Sequence, residues 1–158
     1  MPIQLTSPLY PNLHHVGIVV RSIEETGKDN AERLGLGPLT GRFTFHAEQA
    51  PYRGARVSFS AEFGYIEFGN AVMELIQPIG TDPSPYLDTL RDRGETLHHL
   101  AFVVPSIDER LASARKANPA CSVVIDAPLM EGGGRFVYVE GLIHGTLTEL
   151  IEVARKPG

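Results

Sequence analysis

Leu13-His14-His15-Val16-Gly17-Ile18-Val19-Val20-Arg21-Ser22-Ile23-Glu24-Glu25 returns as Leu97-His98-His99-Leu100-Ala101-Phe102-Val103-Val104-Pro105-Ser106-Ile107-Asp108-Glu109, most of it unchanged in kind. Similarity at one fixed offset marks a duplicated unit, and two copies are too few for a solenoid. In each copy a double histidine leads a β-branched or aromatic run that suits a short buried strand. Ser22 with Glu25, and Ser106 with Glu109, then fit a capping box, hydroxyl to the N3 amide and carboxylate back to the cap amide. Each module therefore starts as a strand followed by a helix.

A second pairing supports the first. Ala71-Val72-Met73-Glu74-Leu75-Ile76-Gln77 matches Thr146-Leu147-Thr148-Glu149-Leu150-Ile151-Glu152, and both read as strands with a central carboxylate. Such a group is costly to bury unless it is paired or binds a metal. Strand side chains alternate between faces, so His15 and Gly17 share one face while His14, Val16, Ile18 and Val20 share the other. The bulkier set is predicted to face the helices. His15 and His99 then stand beside the small Gly17 and Ala101, which leave room above the sheet. If the two sheets curl together, His15, Glu74, His99 and Glu149 converge. A single strand His or Glu is usually a hydrogen-bonded or solvent-facing group, but packing gives a duplicated fold no reason to keep both types at both inward positions. The mixed nitrogen and oxygen set suits a borderline divalent ion and disfavours the softer thiolate metals. His14 and His98 read as packing residues or supports for the ligands, His46 as a surface strand residue, and His144 as a loop residue within reach of the trough rim.

Residues 1–12 read as an extended lead-in. A helix from Ser22 to about Leu34 ends at Gly35 and Gly37, strands follow over 40–47 and over 57–68 with an interruption near Gly64, and Gly69-Asn70 turns the chain into 71–77. Ser84 and Pro85 start a bridging helix that stops at Gly94. The second module repeats the order: strand 97–104, helix 106–117 stopped by Asn118-Pro119, a strand near 122–125, a loop from Glu131 to Gly134 that could move, strand 135–139 and a hairpin through Gly141 to Gly145. Lys156-Pro157-Gly158 is a tail. The predicted architecture is α+β, two repeated βαβββ modules whose curled sheets form a metal-binding trough. The chain is expected to be a single domain, with module one over about 12–78, a linker and bridging helix over 79–95, and module two over about 96–153. Exposed sheet edges after each module predict a homodimer.

The turn also sets a register. With a two-residue loop at Gly69-Asn70, opposed residues sum to 139, which places Tyr65 opposite Glu74 and Glu67 opposite Val72. Opposed residues share a face. Tyr65 and Glu67 are then expected to point into the trough, with Glu67 roughly 7 Å further along the strand, and a one-residue slip would turn it outward. Glu67 and Glu149 are the candidate bases, the latter because a metal-bound carboxylate can detach and take a proton.

At 158 residues the chain can bury most of its apolar surface. Its net charge of −5 argues against nucleic acid as a partner. An anionic substrate would need local cations, for which Arg53, Arg56, Arg91 and Arg93 are candidates. Cys121 is the only cysteine, which excludes an intrachain disulfide and reads as a small core residue. No apolar run approaches membrane-spanning length and the start lacks a signal pattern, so a cytoplasmic location and no membrane partner are expected.

These features resemble the vicinal oxygen chelate superfamily, which includes glyoxalase I, methylmalonyl-CoA epimerase, extradiol dioxygenases and the fosfomycin and bleomycin resistance proteins. The resemblance runs from Leu13 to Glu152. It is strongest toward the methylmalonyl-CoA epimerases in Leu-His-His-Val-Gly-Ile-Val-Val (13 to 20), Met-Glu-Leu-Ile-Gln-Pro (73 to 78), Ser-Pro-Tyr-Leu (84 to 87) and Leu-His-His-Leu-Ala-Phe (97 to 102). The family's ligand positions fall on His15, Glu74, His99 and Glu149. The resemblance implies one divalent ion, with Ni, Co, Mn, Fe or Zn all chemically suitable, no organic cofactor, and a small-molecule substrate. It implies isomerisation or epimerisation of a small acyl compound, possibly an acyl-CoA, or of a thioacetal, through a metal-stabilised enolate. Two departures from the epimerases stand out. Their further glutamate base has Glu67 and Glu62 as its nearest candidates here, and Glu140 to Gly145 differs from their Pro-Lys-rich loop. The alternatives are a glyoxalase I-type lactoylglutathione lyase, a ring-cleaving dioxygenase, which usually needs a facial triad with open positions, and a drug-binding resistance protein, in which four inward ligands would have no purpose.

Overall fold

A computed structural model describes residues 13–69 and 71–154. The lead-in, Asn70 of the predicted turn and the tail lie outside the described residues. Module one runs β1 (Leu13–Val19), α1 (Ile23–Leu34), β2 (Leu39–Tyr52), β3 (Ala55–Phe68) and β4 (Ala71–Ile79). After the bridging α2 (Pro85–Arg93), module two runs β5 (Thr96–Val103), α3 (Ile107–Ala117), β6 (Ser122–Pro128), a short 3-10 turn (Met130–Gly132), β7 (Gly134–Ile143) and β8 (Thr146–Val153). The βαβββ order holds in both.

The helix starts follow from the sequence. The hydroxyls of Ser22, Ser84 and Ser106 accept from the amides of Glu25, Leu87 and Glu109, satisfying amides that a helix's first turn leaves without partners. A second device repeats with the duplication. The Gln77 side-chain oxygen accepts from the Ile23 amide at 3.0 Å and the Glu152 carboxylate from the Ile107 amide at 2.7 Å. Each last strand of a module thereby ties down the helix of that module.

The eight strands close into one barrel in the order β1-β4-β3-β2-β6-β7-β8-β5. The modules meet within the chain along an antiparallel β1/β5 seam and, on the far side, through the ladder pair Tyr52 and Ile125 and the bond from the Arg53 amide to the Val124 carbonyl. Of the sheet edges behind the expectation of a homodimer, those of β1 and β5 are paired within the chain, whereas those of β2 and β6 share a single ladder pair. Inside the barrel Phe45, Phe59, Phe63, Tyr86, Phe136 and Tyr138 pack together. Outside, Ile23 of α1 packs with Val20, Ile66 and Leu75, and Ile107 and Leu111 of α3 pack with Val137 and Leu150.

Two strand predictions needed correction. β2 continues to Tyr52, well past residue 47, because Pro51 lies where β2 has almost no second neighbour and a missing amide costs nothing. A register shift between Ala47 and Ala50, with Gln49 at φ 48°, disguises the alternation. Gly64 does not interrupt β3. A Cβ there would lie 2.9 Å from Leu39 and 3.1 Å from Ile23, so the glycine gives α1 its seat on the sheet. The loop expected over Glu131 to Gly134 is shorter than that: the 3-10 turn runs to Gly132 and β7 starts at Gly134.

Candidate metal centre

The β3/β4 ladder has the register read from the turn: Tyr65 opposes Glu74, Glu67 opposes Val72 and Phe68 opposes Ala71. In β1 and β4, which run parallel, Gly17 lies beside Glu74, and in β5 and β8 Ala101 lies beside Glu149. Across the seam Gly17 faces His99 and His15 faces Ala101. Two adjacent rows result, Glu74-Gly17-His99 and His15-Ala101-Glu149, each with a small residue between two ligand-type side chains. The larger groups lean over the small ones and meet.

All four are buried, His15 at 4%, Glu74 at 5%, His99 at 0% and Glu149 at 6% exposure. Nε2 of His15 lies 3.2 Å from Glu74 Oε2, 3.1 Å from Glu149 Oε2 and 3.0 Å from Nε2 of His99. His99 Nε2 lies 3.1 Å from Glu149 Oε2 and 4.0 Å from Glu74 Oε1. Ligand atoms of His15, Glu74 and His99 all fall within 4.8 Å of one another, a group that could hold a divalent ion.

The electrostatics fit a cation. Glu149 Oε2 touches both imidazoles yet has no well-directed hydrogen bond. Burial works against its ionisation, but His99 and His15 outweigh burial and hold its carboxyl down to about 2. Burial and the charge of Glu149 push the Glu74 carboxyl up in spite of the two histidines. Burial disfavours a charged His15, yet Glu149 and Glu74 raise it. Without metal, the cluster compensates buried negative charge with protons, the position a divalent ion would take over.

The supporting residues differ from strict alternation. Gly17 pairs with His99 but Ile18 with Leu97, so His98 is the extra residue of a bulge; Leu13 pairs with Phe102 but His15 with Ala101, so His14 is the extra residue of another. A bulge re-aims a side chain. His14, expected on the outer face, instead lines the cavity over the cluster, and its Nδ1 lies 2.8 Å from Nδ1 of His15. His98 is buried with its Nδ1 2.9 Å from Nδ1 of His99 and its Nε2 3.3 Å from the Pro85 carbonyl. Burial, with His99 beside it, pushes the His98 imidazole down to about 3.

The cavity encloses about 340 Å³. Phe43, Phe45, Phe63, Phe136, Leu129 and Met130 form much of its wall, and among the described residues no Lys or Arg lines it. Tyr65 reaches the cavity, and its phenol, which interacts with the Glu74 carboxylate, is pushed up by burial and by that charge, so it stays protonated. Tyr138 opposes Glu149 as Tyr65 opposes Glu74, but its phenol turns to the phenol of Tyr86 at 2.8 Å. This aromatic pair was not foreseen. The β7/β8 register shifts between Val139 and Ile143, which hides the match of Tyr138 to Glu149 from any count outward from the turn.

The remaining candidates lie elsewhere. Glu67 has the predicted register but is exposed at the end of β3, outside the residues that line the cavity. Glu62 pairs with Arg42. His46 is on the surface against Ser60. His144, expected near the rim, borders a separate hollow with Asp88, Arg91 and Glu140. Arg53 and Arg91 are engaged by Glu140 and by Asp88 and Asp92. Cys121 is buried in the outer core.

An eight-stranded barrel made of two βαβββ modules, with paired His and Glu residues at the module seam, defines a class of fold and site. Residues 14–138 match the model of the glyoxalase/bleomycin resistance protein/dioxygenase superfamily, and the chain belongs to that superfamily. It is 32% identical over 99 residues to the uncharacterized protein YqjC of Bacillus subtilis strain 168, a match covering 63% of this chain and 61% of that protein. Among solved structures, hypothetical protein BH1468 of Bacillus halodurans C-125 superposes with a TM-score of 0.66 at 25% identity, over 93% of this chain and 97% of that one. Methylmalonyl-CoA epimerase of Mycobacterium tuberculosis does so with a TM-score of 0.65 at 20% identity, over 90% and 88%. Among the described residues no helix is long and apolar enough to cross a membrane.

Proposed function

We propose that this chain is a metal-dependent isomerase or epimerase that moves a proton next to a carbonyl group, by way of an enolate. The observation that carries the reading is the convergence of His15, Glu74, His99 and Glu149 in an aromatic-walled cavity. The fold shared with methylmalonyl-CoA epimerase supports it. A divalent ion held by these four residues, Ni, Co, Mn, Fe or Zn, would supply Lewis acidity toward the enolate oxygen.

The chain's own residues do the rest. Glu149, the carboxylate held ionised, takes the proton, and its burial beside two imidazoles keeps it close to the reacting carbon. Glu67 is the second candidate base, set further out at the strand end. Tyr65, a phenol that keeps its proton, offers a hydrogen-bond donor at the cavity wall. The phenylalanines exclude water and bind the substrate's apolar side. The wall formed by the described residues carries no Lys or Arg and favours a substrate uncharged around its reacting centre, because a charged group would lose hydration against those phenylalanines. That observation gives weight to a second reading, the glyoxalase-type isomerisation of a 2-oxo thioacetal, whose reacting atoms are neutral.

The test is solvent-deuterium incorporation at the α-carbon across acyl-CoA esters and 2-oxo thioacetals, with metal content measured on the same samples. Exchange that needs metal, persists in Glu67→Gln and is lost in Glu149→Gln is expected. Loss of exchange in Glu67→Gln with metal retained would move the base to Glu67. A metal-loaded wild type that exchanges no proton in either class would end the isomerase reading.

A further inference from the structure

We infer that His98 is a positioning residue that fixes which nitrogen of His99 is free, so that its Nε2 lone pair faces the point in the cavity where His15, Glu74 and Glu149 meet, and that His14, in the same contact at the other copy, supports His15. The inference rests on the metal reading above for its purpose, and on hydrogen-bond chemistry for its content.

The derivation starts at Pro85. Its carbonyl can only accept, so the His98 Nε2 that lies 3.3 Å away carries a hydrogen. His98 is buried, and its ring nitrogens meet that carbonyl and another imidazole. A buried imidazole in such company is neutral, which leaves Nδ1 of His98 bare. Nδ1 of His99, 2.9 Å away, must therefore be the donor. With a proton on Nδ1, His99 has Nε2 as its ligand nitrogen, and that atom faces Glu149, Glu74 and His15, where a cation would sit. Outer partners of metal-ligating histidines act in this manner when a carboxylate or carbonyl accepts the second N–H. Here the acceptor is a second histidine.

The backbone is built to make this contact. Adjacent strand residues point to opposite faces, so two neighbouring histidines cannot ordinarily meet Nδ1 to Nδ1. At both copies the first histidine is the extra residue of a bulge in the β1/β5 ladder, and at both copies the Nδ1 atoms lie within 2.9 Å. Packing alone gives no reason for two bulges at equivalent places in a seam that would otherwise pair continuously. The two copies differ at their outer ends. His98 is anchored on Pro85 of α2, whereas His14 is exposed and lines the cavity.

The test has two arms. Long-range proton–nitrogen correlation spectra of metal-free, nitrogen-labelled protein should show His98 protonated at Nε2 with a bare Nδ1, and His99 protonated at Nδ1. Competition with a chromophoric chelator then gives zinc and cobalt affinities. His98→Phe should weaken binding by about 10- to 100-fold, and His98→Gln, whose amide oxygen can again accept, should recover most of the loss. His14→Phe, at an exposed position, should weaken binding in the same direction and serves if His98→Phe does not fold. A His99 ring with a bare Nδ1, or a folded Phe variant with wild-type affinity, would overturn the inference. The two readings fail separately. Wild-type protein with the expected ring protonation and no affinity for any divalent ion would sink the metal reading alone, while tight binding with the opposite protonation would sink only this one.

Discussion

Gly17→Ala probes the site with one methyl group. Gly17 faces His99 across the module seam, and its backbone is not in the left-handed region, so alanine can adopt it without strain. The cost lies in the side chain. A Cβ at this position would lie 2.1 Å from Cε1 and 2.4 Å from Nε2 of His99, whereas ordinary contact begins at 3.4 Å, so the ring must retreat by more than 1 Å. Overpacking of this kind costs about 1–3 kcal/mol, and replacing a strand glycine returns roughly 0.5–1 kcal/mol. The net loss without metal is about 0–2.5 kcal/mol, or at most about 10 °C in Tm for a chain of this size. Metal binding suffers more, because metal–nitrogen distances tolerate only about 0.2 Å of error.

The assay is thermal unfolding with chelator and again with added metal. At a free metal concentration about 100 times the wild-type Kd, wild-type protein gains about 2.7 kcal/mol. A variant bound 100-fold more weakly gains about 0.4 kcal/mol at the same concentration. The expected result is a variant that folds in chelator but whose Tm barely responds to metal. Ala101, which faces His15 at the equivalent position and already carries a Cβ, supplies the control: Ala101→Gly should keep the metal response. A Gly17→Ala protein with an undiminished metal shift would refute the placement of His99 Nε2 over Gly17.

Three further outcomes are expected. His98 is held down to about 3 in the fold against an ordinary 6.5, so its contribution to stability is complete above pH 6.5 and drains as pH falls toward 3; urea unfolding of metal-free protein should lose on the order of 2–4 kcal/mol across that window, and less in His98→Gln. Tyr138→Phe leaves the buried Tyr86 hydroxyl without its partner at 2.8 Å and should cost about 1–3 kcal/mol by chemical denaturation, while metal content stays at the wild-type level. His15→Ala and Glu149→Ala should each abolish stoichiometric metal by elemental analysis, because each leaves the remaining buried cluster without a ligand and a counter-charge; full occupancy in either variant would remove that residue from the site.

The duplication made most of the architecture legible. A repeated double histidine, a repeated Ser-Ile-acid-Glu and a repeated Glu-Leu-Ile are local patterns, and they located the strands, the helix caps and the four ligand-type residues. The Gly69 turn also gave the β3/β4 register, since a short hairpin fixes pairing by geometry alone. Non-local features stayed hidden. Internal closure of the barrel depends on β5 finding β1, and β6 finding β2, across the whole chain. The bulges at His14 and His98 break the two-residue period on which face assignment rests. Gly64 shows its purpose only once α1 lies on it. The Tyr86–Tyr138 pair joins α2 to β7, a contact without any sequence period.

The two halves of the site began as equivalents and have been made unequal by one element. Each module contributes a bulged histidine, a ligand-type histidine, a tyrosine and a glutamate, with Tyr65 across from Glu74 and Tyr138 across from Glu149. The bridging helix α2 packs against both modules, but it meets the polar edges of only one set. Its Pro85 carbonyl takes the free edge of His98, and its Tyr86 takes the phenol of Tyr138. Polar groups of the second module are therefore spent on internal partners and sealed from solvent. Their counterparts in the first module, His14 and Tyr65, share the cavity wall with Tyr86 and Tyr138 but have no such partner on α2. By engaging His98 and Tyr138, α2 makes the two halves chemically unequal: the second-module pair has its polar atoms committed to Pro85 and Tyr86, and the first-module pair, His14 and Tyr65, is not committed to that helix.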